Sequence, residues 1–189
     1  GGALWTAGLA LSRYLEHVYA GGALRGKRVL ELGCGTGLAG LVAASLGADA
    51  VLTDIASVLP LLRRNAAANA SAIATGGCGG SATVEELTWG STPVAPDYGA
   101  SFDLVIAADV VYEPVHVPLL LGVLGSLLEG GAPAALVGFD RRGRHGLKAF
   151  LAAASEQFDV IEIAAEAMHP DVRNFAHFGL VRLALKAKA

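Results

Sequence analysis

The sequence has 189 residues, with 14 Lys and Arg against 17 Asp and Glu for a formal net charge of −3, and is 53% hydrophobic but only 16% charged. That length suits a single domain, residues 1–189, able to bury a sizeable core, and the small acidic excess offers no broad basic surface for a phosphate backbone, so no nucleic acid is expected as a partner. The longest apolar run, Val115 to Leu128, contains His116 and Pro118 and is too short to cross a bilayer, so no membrane is expected either.

Thr6 to Tyr19 places Leu9, Leu11, Leu15 and Val18 at mostly helical spacing. This predicts an amphipathic helix within residues 1–20 that packs on the core and ends at Gly21-Gly22. Residues 27–32 read as the first strand, Leu38 to Leu46 as a helix closed by Gly47, and 49–53 as a second strand that stops at Asp54. Ser57 to Asn69 reads as a helix, with Ser57 as its cap and Pro60 in its first turn. Ser71 to Ser81 is rich in Gly, Ala and Ser, without charge or apolar period, and reads as a flexible loop. Strands follow at 82–86 and 102–108, separated by the turn-rich Gly90 to Gly99 segment. A helix at 116–128, a strand at 133–139, a helix at 146–156 and strands at 158–164 and 178–186 complete the order.

Alternation of this kind specifies a doubly wound sheet with right-handed crossovers. The last two strands are joined through Met168-His169-Pro170-Asp171 without a helix, so they pair as a hairpin, and an otherwise parallel sheet ends in one reversed strand.

The chemistry concentrates at strand ends. Glu31-x-Gly33-x-Gly35-x-Gly37 joins a buried strand to a helix start through a loop whose glycines let the backbone lie against a ligand. In a second register, Gly35-x-Gly37-x-x-Gly40 is a formal dinucleotide fingerprint, and Asp54 follows at the spacing of a ribose-binding acid. Glu31 separates the two, because a dehydrogenase uses that position for the apolar interior of the strand, where an unpaired carboxylate is costly. Asp54 accepts ribose hydroxyls in either register, or else caps the next helix. The strand Phe102 to Ala108 delivers Asp109 and Tyr112 to the same edge, where α/β sheets bind ligands, while Asp103 sits at the opposite edge with a structural role.

Leu4-Trp5-x-x-Gly8, the Glu31 to Gly37 loop, Leu52-Thr53-Asp54, Leu87-Thr88-Trp89-Gly90 and Asp109-Val-Val-Tyr112 occur in this order along nearly the whole chain. Together they resemble the methyltransferase-like protein-lysine methyltransferases, enzymes that use S-adenosylmethionine (AdoMet) to modify chaperones, translation factors and other nonhistone proteins. The resemblance implies a Rossmann-like α/β fold with a seven-stranded, mostly parallel sheet, one antiparallel strand and helices on both faces. It implies cofactor contacts from Trp5, Glu31, Gly33, Cys34, Gly35, Gly37, Asp54, Trp89 and Ala108, with Trp89 along the adenine. Asp109 and Tyr112 become the catalytic pair that orients the incoming lysine, Asp109 as capture group with service as a base left open.

A small-molecule N- or O-methyltransferase and a noncatalytic AdoMet-binding module remain as alternatives. The expected state is a monomer. Cys34 and Cys78 share no metal-ligand spacing, which predicts a reduced, cytoplasmic or nuclear protein without a metal centre. His17, His116, His145, His169 and His177 read as exposed or structural. Arg141, Arg142 and Arg144 form a solvated loop or meet acidic residues beside a target lysine. Asn65 and Asn69 read as side chains that fix nearby backbone.

Overall fold

The computed structural model describes residues 3–91, 94–142 and 145–187. Among the described residues, seven strands and five α-helices follow in the order α1 (Thr6–Val18), β1 (Arg28–Leu32), α2 (Leu38–Ser45), β2 (Asp49–Asp54), α3 (Leu59–Thr75), β3 (Ser81–Glu86), β4 (Leu104–Ala108), α4 (Val117–Glu129), β5 (Ala135–Asp140), α5 (His145–Gln157), β6 (Phe158–Glu162) and β7 (Phe178–Leu185). One sheet takes them in the order β3-β2-β1-β4-β5-β7-β6. Every pairing from β3 to β5 is parallel, whereas β7 runs antiparallel to both β5 and β6.

Side-chain alternation divides the strands between two layers. Leu30, Leu32, Val105, Ala107, Val137 and Leu183 face α4 and α5, whose Leu120, Leu124, Leu127 and Phe150 are fully buried. Val29, Leu104, Ile106, Leu136 and Leu180 face the opposite way, against Leu11 and Leu15 of α1 and Ala39 and Ala43 of α2. Leu52 continues that second layer under Leu59, Leu62 and Ile73 of α3. Helices therefore cover both faces, and the Rossmann-like expectation holds.

Two local expectations are corrected. Helix α3 starts at Leu59 rather than Ser57, with Val58 at its N-cap, and it continues to Thr75 through much of the stretch read as a loop. Alanine has the highest helix propensity, so Ala66 to Ala74 needs no apolar period to continue a helix, and Ile73 anchors it in the core. The remaining loop, 76–80, is held in place. Arg25 donates to the carbonyls of Gly77 (2.7 Å) and Cys78 (3.1 Å), and a Cβ on Gly80 would lie 2.0 Å from the Ala44 carbonyl oxygen. The reversed strand pairs with β6 as the hairpin reading required, yet it lies inside the sheet, between β5 and β6. Thr92 and Pro93 of the turn segment lie outside the described residues.

Candidate active site

The strand order reverses between β1 and β4, and at such a switch point an open α/β sheet leaves a crevice beyond the strand C-termini. A cavity of about 630 Å³ lies there, lined from the ends of β1, β2, β3 and β4 and from the first turns of α1 and α4.

Its floor is the loop after β1. Gly33, Gly35 and Gly37 have φ of 61°, 54° and 83°, a region that a side chain enters only at a cost. At Gly33 space is lacking as well, since a Cβ would lie 2.9 Å from a Val110 methyl and 3.1 Å from the Trp89 ring. Neighbouring elements fix the loop. The Cys34 N–H donates to the Thr53 carbonyl (3.1 Å), the Gly35 N–H to Asp54 Oδ2 (2.8 Å), and Asn65 Nδ2 reaches from α3 to the Thr36 carbonyl (2.9 Å). The backbone-fixing role read for Asn65 is thus borne out, across 29 residues of sequence. Gly37 does not line the cavity. It is the left-handed N-cap of α2, and a Cβ there would strike Leu62 and Leu52 at 2.7 and 2.8 Å.

Glu31 shares its strand face with Val29, so it points under α2, where its Oε2 accepts the Gly40 N–H at 2.8 Å. It is 3% exposed, and burial pushes its carboxyl up to about 8; the bond from Gly40 opposes the rise and the nearby Asp54 adds to it. Asp54 is half-buried, with Oδ1 on its own following N–H (Ile55, 2.8 Å) and Oδ2 on Gly35. It supports the glycine loop and does not cap α3, which begins five residues later. Burial likewise holds the Cys34 thiol far above its ordinary pKa, with Glu31 and Asp54 adding to the effect, so the thiol stays protonated and inert.

The opposite wall comes from β4. Ala108 ends the strand, and Asp109 follows at φ 60°, the one described residue other than glycine with positive φ. Its N–H donates to the Gly138 carbonyl (2.8 Å), and Val110 and Val111 are buried behind it, so the turn is pinned while Asp109 lines the cavity. Asp109 does not cap α4, whose N-cap is His116. Tyr112 is 44% exposed at the cavity rim, and its ring meets that of His116 edge-on, with centroids 5.6 Å apart. Trp5 at the start of α1 is 54% exposed; Trp89 is half-buried and packs on the core beside Gly33.

Of the eleven residues singled out from sequence, Trp5, Glu31, Gly33, Cys34, Gly35, Asp54, Trp89, Ala108, Asp109 and Tyr112 line this one cavity, and Gly37 stands behind it. Thr36, Ile55, Val58, His116 and Leu119 also line it and were not singled out as site residues. Ile55 and Val58 had a signal, since they follow Asp54 on the same strand end. His116, read as exposed or structural, had none, because the turn at Pro114–His116 brings it back over Tyr112. Three acidic side chains line the cavity (Glu31, Asp54 and Asp109), and no Lys or Arg does so among the described residues.

Elsewhere, Asp103 is structural as expected, accepting from Lys27 Nζ (2.8 Å) and the Arg28 N–H (2.9 Å) at the far edge. Arg141 pairs with Glu162 and Arg142 with Asp140, so both side chains are engaged within the chain; Arg144 lies outside the described residues. Among the described residues no cluster of His, Cys, Asp or Glu has the makings of a metal site, and no helix is long and apolar enough to cross a membrane.

The cavity fits AdoMet on chemical grounds: a side-chain-free backbone cradle for close approach, the carboxylates of Asp54 and Asp109 at the ends of β2 and β4, either side of β1, for hydroxyl and cationic groups, and an apolar wall beside them. Comparison with known proteins agrees. Residues 1–157 match a family model described as lysine methyltransferase. The chain is 35% identical over 161 residues to EEF1A lysine methyltransferase 3 of Mus musculus, covering 85% of this chain and 65% of that one. It is 36% identical over 164 residues to the protein N-lysine methyltransferase METTL21A of Danio rerio, covering 85% and 69%. The chain thus spans about two thirds of the length of these curated relatives. Among solved structures, the magnesium protoporphyrin IX methyltransferase of Synechocystis with bound SAM superposes with a TM-score of 0.62 over 98% of this chain and 87% of that one, at 15% identity, which speaks for the fold alone. Sequence and architecture together make this chain a member of the lysine methyltransferase family, with AdoMet as its cofactor.

Proposed function

We propose that this protein transfers methyl groups from AdoMet to a lysine side chain of a nonhistone protein. The substrate we favour is a translation factor, with a chaperone as the other candidate; the mouse relative's name gives EEF1A as the protein it methylates. One observation carries the reading: Asp109 and Tyr112 stand at the rim of the same cavity whose floor is the Gly33–Gly37 loop. When bound, AdoMet would supply an activated methyl group to a neutral lysine amine, with the thioether S-adenosylhomocysteine and a proton as the other products.

The chain's own residues do the rest. Glu31, Gly33, Cys34, Gly35, Asp54 and Ala108 would hold the cofactor from β1, β2 and β4, with Trp5 and Trp89 as further contacts, and Gly37 shapes the loop from behind. Asp109 attracts the lysine as an ammonium, since a carboxylate favours the charged form, while burial in the cavity favours the neutral amine that reacts. Lysine has a reference pKa near 10.4, so capture and deprotonation are separate tasks. Asp109 is assigned to capture and orientation, and Tyr112 to ring contact with the side chain. Most of the acceleration then comes from positioning. Two free cysteines suit a cytoplasmic setting.

The test combines labelled AdoMet with a proteome extract. Label on a lysine of a protein band supports the reading, and label in small metabolites alone overturns it. Asp109→Asn is the variant of choice because Asn tolerates the left-handed backbone that Asp109 adopts. It should keep AdoMet affinity and lower transfer by about 100-fold, the scale of a misplaced reactant.

A further inference from the structure

Tyr112 leaves a turn that is otherwise tightly fixed. The backbone before it is tied by the Asp109 N–H and by the buried Val110 and Val111, and the backbone after it by the His116 N–H on the Glu113 carbonyl (3.2 Å). The start of α5 closes the turn from outside, since a Cβ on Gly146 would lie 2.8 Å from the Val111 carbonyl oxygen. The Tyr112 side chain shares none of this restraint. It projects to the rim, nearly half exposed, and its ring packs against that of His116, at 5.6 Å between centroids and 66° between planes. His116 is half-buried, lines the same cavity and sits between Pro114 and Pro118, whose fixed φ angles stiffen its backbone.

We propose that His116 is a positioning residue, whose imidazole holds the Tyr112 ring across the cavity rim so that an entering aliphatic amine meets a fixed aromatic wall. This rests on the methyl-transfer reading for its consequence, though not for the ring contact itself. An edge-to-face pair requires a second ring rather than a second polar group. Phe therefore suffices at position 116, and Asn does not.

Two measurements test it on the full chain with His116→Ala, His116→Phe and His116→Asn. The first is nitration of Tyr112 by tetranitromethane, read by peptide mass, which needs no activity. Tyr14, Tyr19 and Tyr98 are more buried, and burial raises their hydroxyl pKa values, so they react slowly and leave Tyr112 readable. Loss of the ring pair should speed Tyr112 nitration about two- to tenfold in the Ala and Asn variants, and Phe should restore the parent rate. The second is transfer of labelled methyl to the protein band found in the extract. Here kcat/KM for that protein should fall by a similar factor in the Ala and Asn variants and return with Phe, while AdoMet affinity stays constant. An unchanged nitration rate in His116→Ala, or rescue by Asn as complete as by Phe, overturns the proposal. Nitration behaving as described with no transfer by the parent protein would instead count against the methyltransferase reading and leave the ring contact standing.

Discussion

Glu31 is a carboxyl group that burial keeps protonated in a cavity meant for a cation. Below about 4.5 it is protonated in both folded and unfolded chains and adds no pH dependence. Between there and about 8 the folded state retains a proton that the unfolded state has lost, so stability falls as pH rises, by at most about 1.4 kcal/mol per pH unit. Urea unfolding of the parent and of Glu31→Gln at matched pH should differ by this slope, since every other titrating group contributes to both. A bound cation favours the carboxylate, so AdoMet binding near pH 7 should release a proton, and titration calorimetry in buffers of different ionisation enthalpy counts it. The two thiols differ in the same spirit. Cys34 is buried and held protonated while Cys78 is partly exposed, so maleimide should label Cys78 first, and Cys34 only as the chain unfolds. Glu31, Asp54 and Asp109 were legible because carboxylates at strand ends are chemically conspicuous. His116 was not, because its role depends on a turn that sequence spacing does not reveal.

At the level of elements, the glycines of the site do different jobs. Gly33→Ala forces a Cβ into the left-handed region, at about 1–2 kcal/mol, and against Val110 and Trp89. It should weaken AdoMet binding more than it lowers the unfolding temperature, because the displaced groups are cavity walls. Gly8, inside α1, meets nothing within 4 Å at its Cβ position, so Gly8→Ala should stabilise the chain by about 0.5–1 kcal/mol in denaturant melts. Element order and type were readable from apolar period and turn residues. The length of α3 was not, since an alanine-rich run carries propensity without pattern, and Ile73 is the one large side chain by which the run reaches the core.

For the whole molecule, the layers above and below the sheet share the same strands, so we expect residues 1–189 to behave as one cooperative unit. Heat and urea unfolding followed by fluorescence and circular dichroism should coincide, and AdoMet at a hundredfold excess over its Kd should add about 2.7 kcal/mol. A separate early transition of residues after 157, beyond the family match, would refute this. The hairpin between the last two strands was legible from the missing helix. Its insertion beside β5 was not, because nothing local distinguishes an edge strand from an inner one. That insertion bears on biosynthesis. Every described cavity-lining residue lies within residues 3–119, and β5 is complete at Asp140, yet the outer edge of β5 has no partner until β7 has been made. At 5–20 residues per second, translation from Arg141 to Leu185 leaves that edge bare for roughly two to nine seconds, the interval in which a nascent chain of this fold is most open to pairing with the wrong strand.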